Sequence, residues 1–337
     1  MSAATEIVER TNGRTLALSG LTAEEVVELL GPKGRLLATT YHDETAGNPL
    51  ACLLLEESGW EPGDDAPPTV AMLVAARMAR LDNEHQPFVE AAALTGSEFD
   101  AALVSVAVGS SPSSVAAAEE QGLVEPAASG LYRFRHPLFR TVIATSMPPE
   151  TAMARRRELA RTLIELAPSK VTEIARHLVD AAALDVTLRA DAVRWARQAA
   201  EVSERRAAFD EAVSWYEAAL RLHGTDDLDR YELLLGQSRA LKARPDWVFR
   251  APARAAAELA ETVLDDEVRA AEALLAANRD WPSASVDGPF VHDLETAVAR
   301  LGDREPALRA RLLAALGARN TQSGRAFSAR LCPSSSS

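Results

Sequence analysis

Apolar residues return at helical spacing along most of this chain, and Gly, Pro and Asn interrupt them at short intervals, a pattern that predicts many short helices. Leu21-Thr22-Ala23-Glu24-Glu25 opens one of them. Thr22 is placed as N-cap, Glu25 can close a capping box, and Val26, Val27, Leu29 and Leu30 supply the buried side. Before it, TLAL at 15–18 reads as a short strand. Gly31-Pro32-Lys33-Gly34 ends the helix, and a second runs over about 35–43. Thr45-Ala46-Gly47-Asn48-Pro49-Leu50 then compresses a helix stop, a turn and a helix start into six residues. A third helix follows at 50–57, with Pro49 at or near its first position, where a missing N–H costs nothing. Residues 60–68, WEPGDDAPP, are a linker by composition.

From Thr69 the pattern predicts helices at about 69–81, 84–94, 99–108 and 112–121. Two short apolar pieces follow, Leu123-Val124 and Tyr132-Arg133-Phe134, separated by Pro126 and the turn-like Ser129-Gly130. Helices followed by a small hairpin outline a winged helix. Another helix begins near Pro137, and Met147-Pro148-Pro149 closes the segment.

Beyond it the chain reads as paired helices: 150–166, 170–183, 188–205, 208–222, 227–243, 252–264, 266–278, 290–301 and 306–317. Ala200, Ala212, Tyr216 and Ala219 fall at the three small positions and the aromatic position of a tetratricopeptide-type repeat, although its usual Trp and Pro are absent from that register. Stacked repeats bury a continuous core and leave a concave face for a partner. After the last helix comes RAFSARLCPSSSS, a low-complexity tail where a polar-faced capping helix is expected, so the chain is expected to stop before its architecture does.

Composition narrows the chemistry. With 337 residues, two or three compact units are expected, and the few aromatics favour mainly α packing. No run has the length of a membrane span, and acids occupy the start where a signal peptide needs bases, so a cytoplasmic protein without membrane contact is expected. Cys52 and Cys332 are the only cysteines, too few for a disulfide framework or metal knuckle, and Cys52 reads as a small core residue. No G-x-x-x-x-G-K-[ST], H-E-x-x-H, G-x-S-x-G or G-x-G-x-x-G occurs, so the chain reads as no enzyme. His42-Asp43-Glu44 reads as an exposed helix end, and His177 as a core or helix-contact histidine.

Two motifs remain, Gly47-Asn48-Pro49 and Phe134-Arg135-His136-Pro137-Leu138. The succession TLALSGLTAEEVVELLG, TAGNPLACLLLEE, PPTVAMLVAARMARLD, AAALTGSEFD, EEQGLVEP, LYRFRHPLFRTVI and then helical repeats resembles the large ATP-binding LuxR-type transcriptional regulators, which are signal-transduction ATPases with numerous domains. The resemblance covers about residues 14–317. It implies a helical lid remnant at 1–60, a winged-helix-like regulatory domain with a small β-hairpin at 61–149, a tetratricopeptide-like arm at 150–320 and a disordered tail at 321–337. It also implies that the phosphate loop, the Mg²⁺-binding acidic strand and the C-terminal helix-turn-helix are missing, which makes this chain a fragment. ATP or ADP belongs to the intact architecture, and none is expected on this chain alone.

By the same resemblance Gly47, Asn48 and Pro49 match the element that holds the adenine end of a nucleotide, and His136 matches the winged-helix histidine that touches the terminal phosphate of ADP. The residues themselves leave simpler alternatives open: a helix-to-helix turn with nothing bound, and a helix-start histidine satisfied by the adjacent backbone. Between Leu81 and Tyr132 there is no Lys or Arg, eight acidic residues stand there, and the net charge is −13, so direct DNA binding by the winged helix is not expected. Arg155-Arg156-Arg157 reads as a solvated helix face. The expected partner is a protein or small-molecule effector on the repeats, with self-association through an exposed lid face. The competing reading is a free-standing helical-repeat scaffold that binds proteins and no nucleotide.

Overall fold

The computed structural model describes residues 20–34, 36–45, 47–59, 70–127, 130–244, 248–278 and 288–323. The expected strand at 15–18, the linker at 60–68 and Cys332 lie outside them. The chain divides into two compact units, Met1–Arg155 and Arg156–Ser337.

In the first unit, Thr22 and Glu25 make the capping box: the Thr22 N–H donates to Glu25 Oε2 at 2.8 Å and the Glu25 N–H to Thr22 Oγ1 at 3.3 Å. They start α1, Ala23–Gly34, which Gly31 breaks internally with φ 68°. With α2 (Ala38–Thr45) and α3 (Pro49–Ser58) it encloses a small core of Val26, Leu30, Ala38, Tyr41, Cys52 and Leu55. Cys52 is the fully buried core residue its apolar neighbours suggest, and Leu29, expected inside, is exposed.

The winged-helix-like part of this unit runs α4 (Val70–Ala79), α5 (Gln86–Ala93), β1 (Glu98–Phe99), α6 (Ala101–Val108), α7 (Ser113–Glu120), β2 (Val124–Pro126), β3 (Tyr132–Phe134) and α8 (Pro137–Ser146). Its three strands lie in the order β1-β3-β2, antiparallel, with Phe99 opposite Tyr132 and Val124 opposite Phe134. Two expectations change here. A helix was expected from residue 99, but Asp100 is extended and accepts from the N–H groups of Ala102 and Leu103, so α6 starts after it and Phe99 stays in a strand. A two-residue strand leaves no periodicity to read. Pro126, expected between the strands, lies in β2, an edge strand that tolerates its missing N–H. Phe99 anchors β1 through its ring contacts with Phe88 at 6.1 Å and Phe134 at 5.9 Å.

Helix α9 (Pro149–Leu166) contains the division between the units. The second unit continues with α10 (Val171–Ala182), a 3₁₀ turn (Val186–Leu188), α11 (Arg189–Arg205), α12 (Phe209–Leu222), α13 (Asp227–Leu241), α14 (Arg250–Thr262), α15 (Glu267–Ala276), α16 (Gly288–Leu301) and α17 (Pro306–Ser323). From α10 onward each helix packs on the next in sequence, as a helical-repeat array requires. The last helix outruns the expected 317 and enters the segment expected to be tail, with 324–337 outside the described residues. Among the described residues no single helix is long and apolar enough to cross a membrane.

The repeat register shows itself in packing. Ala200, Ala212, Tyr216 and Ala219 are all buried in one cluster shared by α11 and α12 with Leu233 of α13. Gly236 of α13 extends the contact. A Cβ there would overlap the Tyr216 ring and lie 2.8 Å from its hydroxyl oxygen. That hydroxyl accepts from Arg239 Nη2 at 3.1 Å, and Arg239 also grips both oxygens of Glu204 on α11. Burial and the Glu204 charge push the Tyr216 hydroxyl up to about 12, so it stays neutral and able to hydrogen-bond.

His177 is a core histidine on α10, with its Nδ1 unpartnered among the described residues. Burial, helped by the positive charges of Arg156 and Arg176, lowers its pKa to about 3.

Two stability tests follow from these contacts. Gly236→Ala should destabilise the chain by about 1–2 kcal/mol in denaturant melts despite the better helix propensity of Ala, because the buried ring cannot yield. In a Tyr216→Leu background the same change should become neutral or stabilising, which identifies the ring as the cause. For His177 the unfolded chain holds one proton more than the folded one between pH ~6.5 and about 3. Its share of stability is therefore complete above pH ~6.5 and drains away as pH falls toward 3. His177→Leu should remove about one proton from the unfolding-linked uptake measured in that window.

Candidate functional site

Local backbone chemistry explains the turn at Gly47-Asn48-Pro49 first. Gly47 sits at φ 70°, its N–H donates to the His42 carbonyl at 3.1 Å, and its own carbonyl accepts from the Leu21 N–H at 2.8 Å. A Cβ on Gly47 would overlap the Leu21 backbone, with the Leu21 nitrogen at 2.8 Å, so this glycine serves a close approach within the chain. Asn48 is extended and its side-chain oxygen accepts from the Ala51 N–H at 3.1 Å, capping α3, while Pro49 occupies the first turn. Asn48 and Pro49 are exposed.

The second motif repeats the arrangement. His136 is extended, stands immediately before Pro137, and its Nδ1 accepts from the Leu138 N–H at 3.1 Å to cap α8. An accepting Nδ1 carries no proton, so the neutral ring has its proton on Nε2. The ring lies 6.0 Å from that of Phe139, which is buried. The two motifs thus cap two different helices, and among the described residues no hydrogen bond joins His136 to Gly47, Asn48 or Pro49.

Near His136 the fold gathers cations that the linear sequence scatters. Arg77 of α4 lies over the Phe139 ring at 5.1 Å, donates from Nη1 to the Gly122 carbonyl at 2.9 Å, and pairs with Glu57 at the end of α3. Arg77, Arg80 and Arg135 line one open cleft of about 520 Å³ with Met72, Leu73 and Gly122. The linear sequence does not group Arg77, Arg80 and Arg135; the i,i+3 spacing of Arg77 and Arg80 is the available signal, and Arg135 comes beside them through the β2–β3 pairing, where its N–H donates to the Leu123 carbonyl at 3.0 Å.

Other candidates dissolve into ordinary structure. His42 Nδ1 and Asp43 Oδ1 are 3.0 Å apart at an accessible helix end. Each arginine of the 155–157 run has a carboxylate: Arg155 pairs with Glu90 at 3.0 Å, Arg156 with Asp180 at 2.7 Å and Arg157 with Asp185 at 4.0 Å. Arg155 and Arg156 are largely covered, a correction to the solvated face expected of the run. Among the described residues no group of three or more His, Cys, Asp or Glu side chains could hold a metal ion.

The caps can be separated from any ligand role. His136→Ala should cost about 1 kcal/mol of stability and His136→Asn, which can still cap, only a few tenths, as read from chemical denaturation. Gly47→Ala should cost more than either, because it adds both a strained φ and a backbone overlap.

No family model matches this sequence, and no curated protein matches it either. Among solved structures, the chain is similar to a Pyrococcus horikoshii signal transduction ATPase with numerous domains that has a tetratricopeptide repeat sensor, at 14% identity and a TM-score of 0.33. The match covers 91% of this chain and 52% of the other, so the chain spans about half the length of that protein.

Proposed function

We propose that this chain is the regulatory and sensing part of a nucleotide-dependent switch of the ATP-binding LuxR regulator type, working in the cytoplasm. One observation carries the reading: a three-helix segment with the Gly47-Asn48-Pro49 turn, a winged-helix-like part whose last strand leads through His136 into α8, and tetratricopeptide-like helices follow one another in a single chain. In this reading a phosphate-loop core holds ATP or ADP against Pro49 and His136. Hydrolysis belongs to that core, since this sequence has no phosphate loop. The free Nε2–H of His136 donates to a phosphate oxygen while Nδ1 keeps its cap. A protein or small-molecule effector on the repeats shifts the equilibrium only through different affinities for the two states. The acidic stretch from Leu81 to Tyr132 argues against DNA contact by the winged helix.

A second reading, a helical-repeat scaffold without nucleotide, is favoured by a specific observation: Gly47, Asn48 and His136 all have local backbone partners that explain them unaided. Calorimetric titration of ADP against the chain fused to a phosphate-loop core separates the two. The switch predicts about tenfold weaker binding in His136→Asn, the variant that preserves the cap. Equal affinity in both proteins would leave the scaffold.

A further inference from the structure

The cleft between the end of α3, the last turn of α4 and the turn before β2 carries more cations than anions, against the acidic balance of the protein. The whole protein carries −13, yet three guanidinium groups, Arg77, Arg80 and Arg135, line this one cleft against two carboxylates, Glu57 and Glu120. Glu57 is engaged by Arg77. Among the described residues neither Arg80 nor Arg135 has a carboxylate within ion-pair distance, and both are exposed. The Arg77 and Arg135 groups converge: Nη1 of each lies 3.2 Å and 3.3 Å from the point that a Cβ on Gly122 would occupy. Gly122, at φ 63°, leaves that point open. Two like charges set beside one glycine repel unless an anion or solvent screens them. Arg77 is fixed there by the Gly122 carbonyl, by Glu57 and by the Phe139 ring.

We propose that this cleft is a binding site for a small phosphate-bearing anion, with Arg80 and Arg135 supplying the phosphate-gripping forks and Arg77 holding the floor. A planar guanidinium presents paired N–H donors that match phosphate oxygens, and its charge is constant at any physiological pH. Met72, Leu73 and Ala76 give the cleft an apolar wall, and about 520 Å³ is room for more than bare phosphate. The wall suits an organic group attached to the phosphate. Carboxylate ligands fit less well, because Glu57 and Glu120 already supply that chemistry from the rim. The site uses none of Gly47, Asn48, Pro49 or His136, so it stands or falls apart from the switch reading.

The test is calorimetric titration of the full chain with pyrophosphate, ADP and adenosine. Pyrophosphate and ADP should bind and adenosine should not. Affinity for both anions should drop about tenfold in each of Arg80→Gln and Arg135→Gln and vanish in the double variant, with unchanged thermal melts because both side chains are exposed. Arg135→Lys should recover part of the affinity through charge alone. ADP binding tighter than pyrophosphate identifies the occupant as a nucleotide or similar organic phosphate; equal affinity identifies the phosphate groups alone, and either supports the site. No binding of either anion at millimolar concentration, or affinity untouched in the double variant, overturns the proposal. The His136→Asn comparison in the fused protein is made with Arg80→Gln and Arg135→Gln already in place, so that ADP in this cleft does not enter it.

Discussion

Every helix begins with backbone N–H groups that no earlier turn can accept, and a chain that folds into seventeen short α-helices among its described residues meets this demand again and again. The solution is written in side chains. Thr22, Asn48, Asp100, His136, Asp226 and Asp266 each accept from an N–H of the following turn, and Glu25 accepts in return from the Thr22 N–H. At Asp266 those hydrogen bonds hold the carboxylate below its ordinary pKa range. Helices this short have little stability of their own, so where each one starts determines which face it offers to its neighbours. The two motifs that resemble ligand contacts, Asn48-Pro49 and His136-Pro137, belong to this set before they belong to any site.

Once the starts are set, close approach decides the packing. In the second unit alanines line the contacts between successive helices, and the Tyr216 ring takes the space that Gly236 leaves. In the first unit the same economy appears at Gly47, where the backbone of Leu21 occupies the position of a side chain. These contacts are made by the absence of atoms, which is why single added methyl groups are informative probes of them.

Local features were legible in the sequence and distant ones were not. The capping box at Thr22, the proline-started helices and the buried Ala200, Ala212, Tyr216 and Ala219 could be read because each depends on residues within a turn or a repeat. The strand at Glu98–Phe99 could not, since it exists only by pairing with Tyr132 and Arg133. The need for glycine at 47 was visible as a turn, but its cause, contact with Leu21, was not. The arginine cleft was the least legible of all: it depends on the pairing of β2 with β3, which sets Arg135 near Arg77 beside Gly122. Charge counted along the chain from 81 to 132 shows only acid, and the three-dimensional arrangement sets cations from outside that stretch against its edge.

The proposed switch rests on a division of labour within one imidazole, in which Nδ1 holds the start of α8 and the proposal gives Nε2–H to the phosphate. Nitrogen-15 NMR of histidine-labelled protein tests this directly at pH ~8, above the ordinary histidine range. The account predicts that His136 shows an unprotonated, pyridine-like Nδ1 and a protonated Nε2 with no ligand present. A proton on Nδ1, or an even mixture of tautomers, would contradict it, because the cap would then be absent and the donor facing the ligand would have no fixed identity.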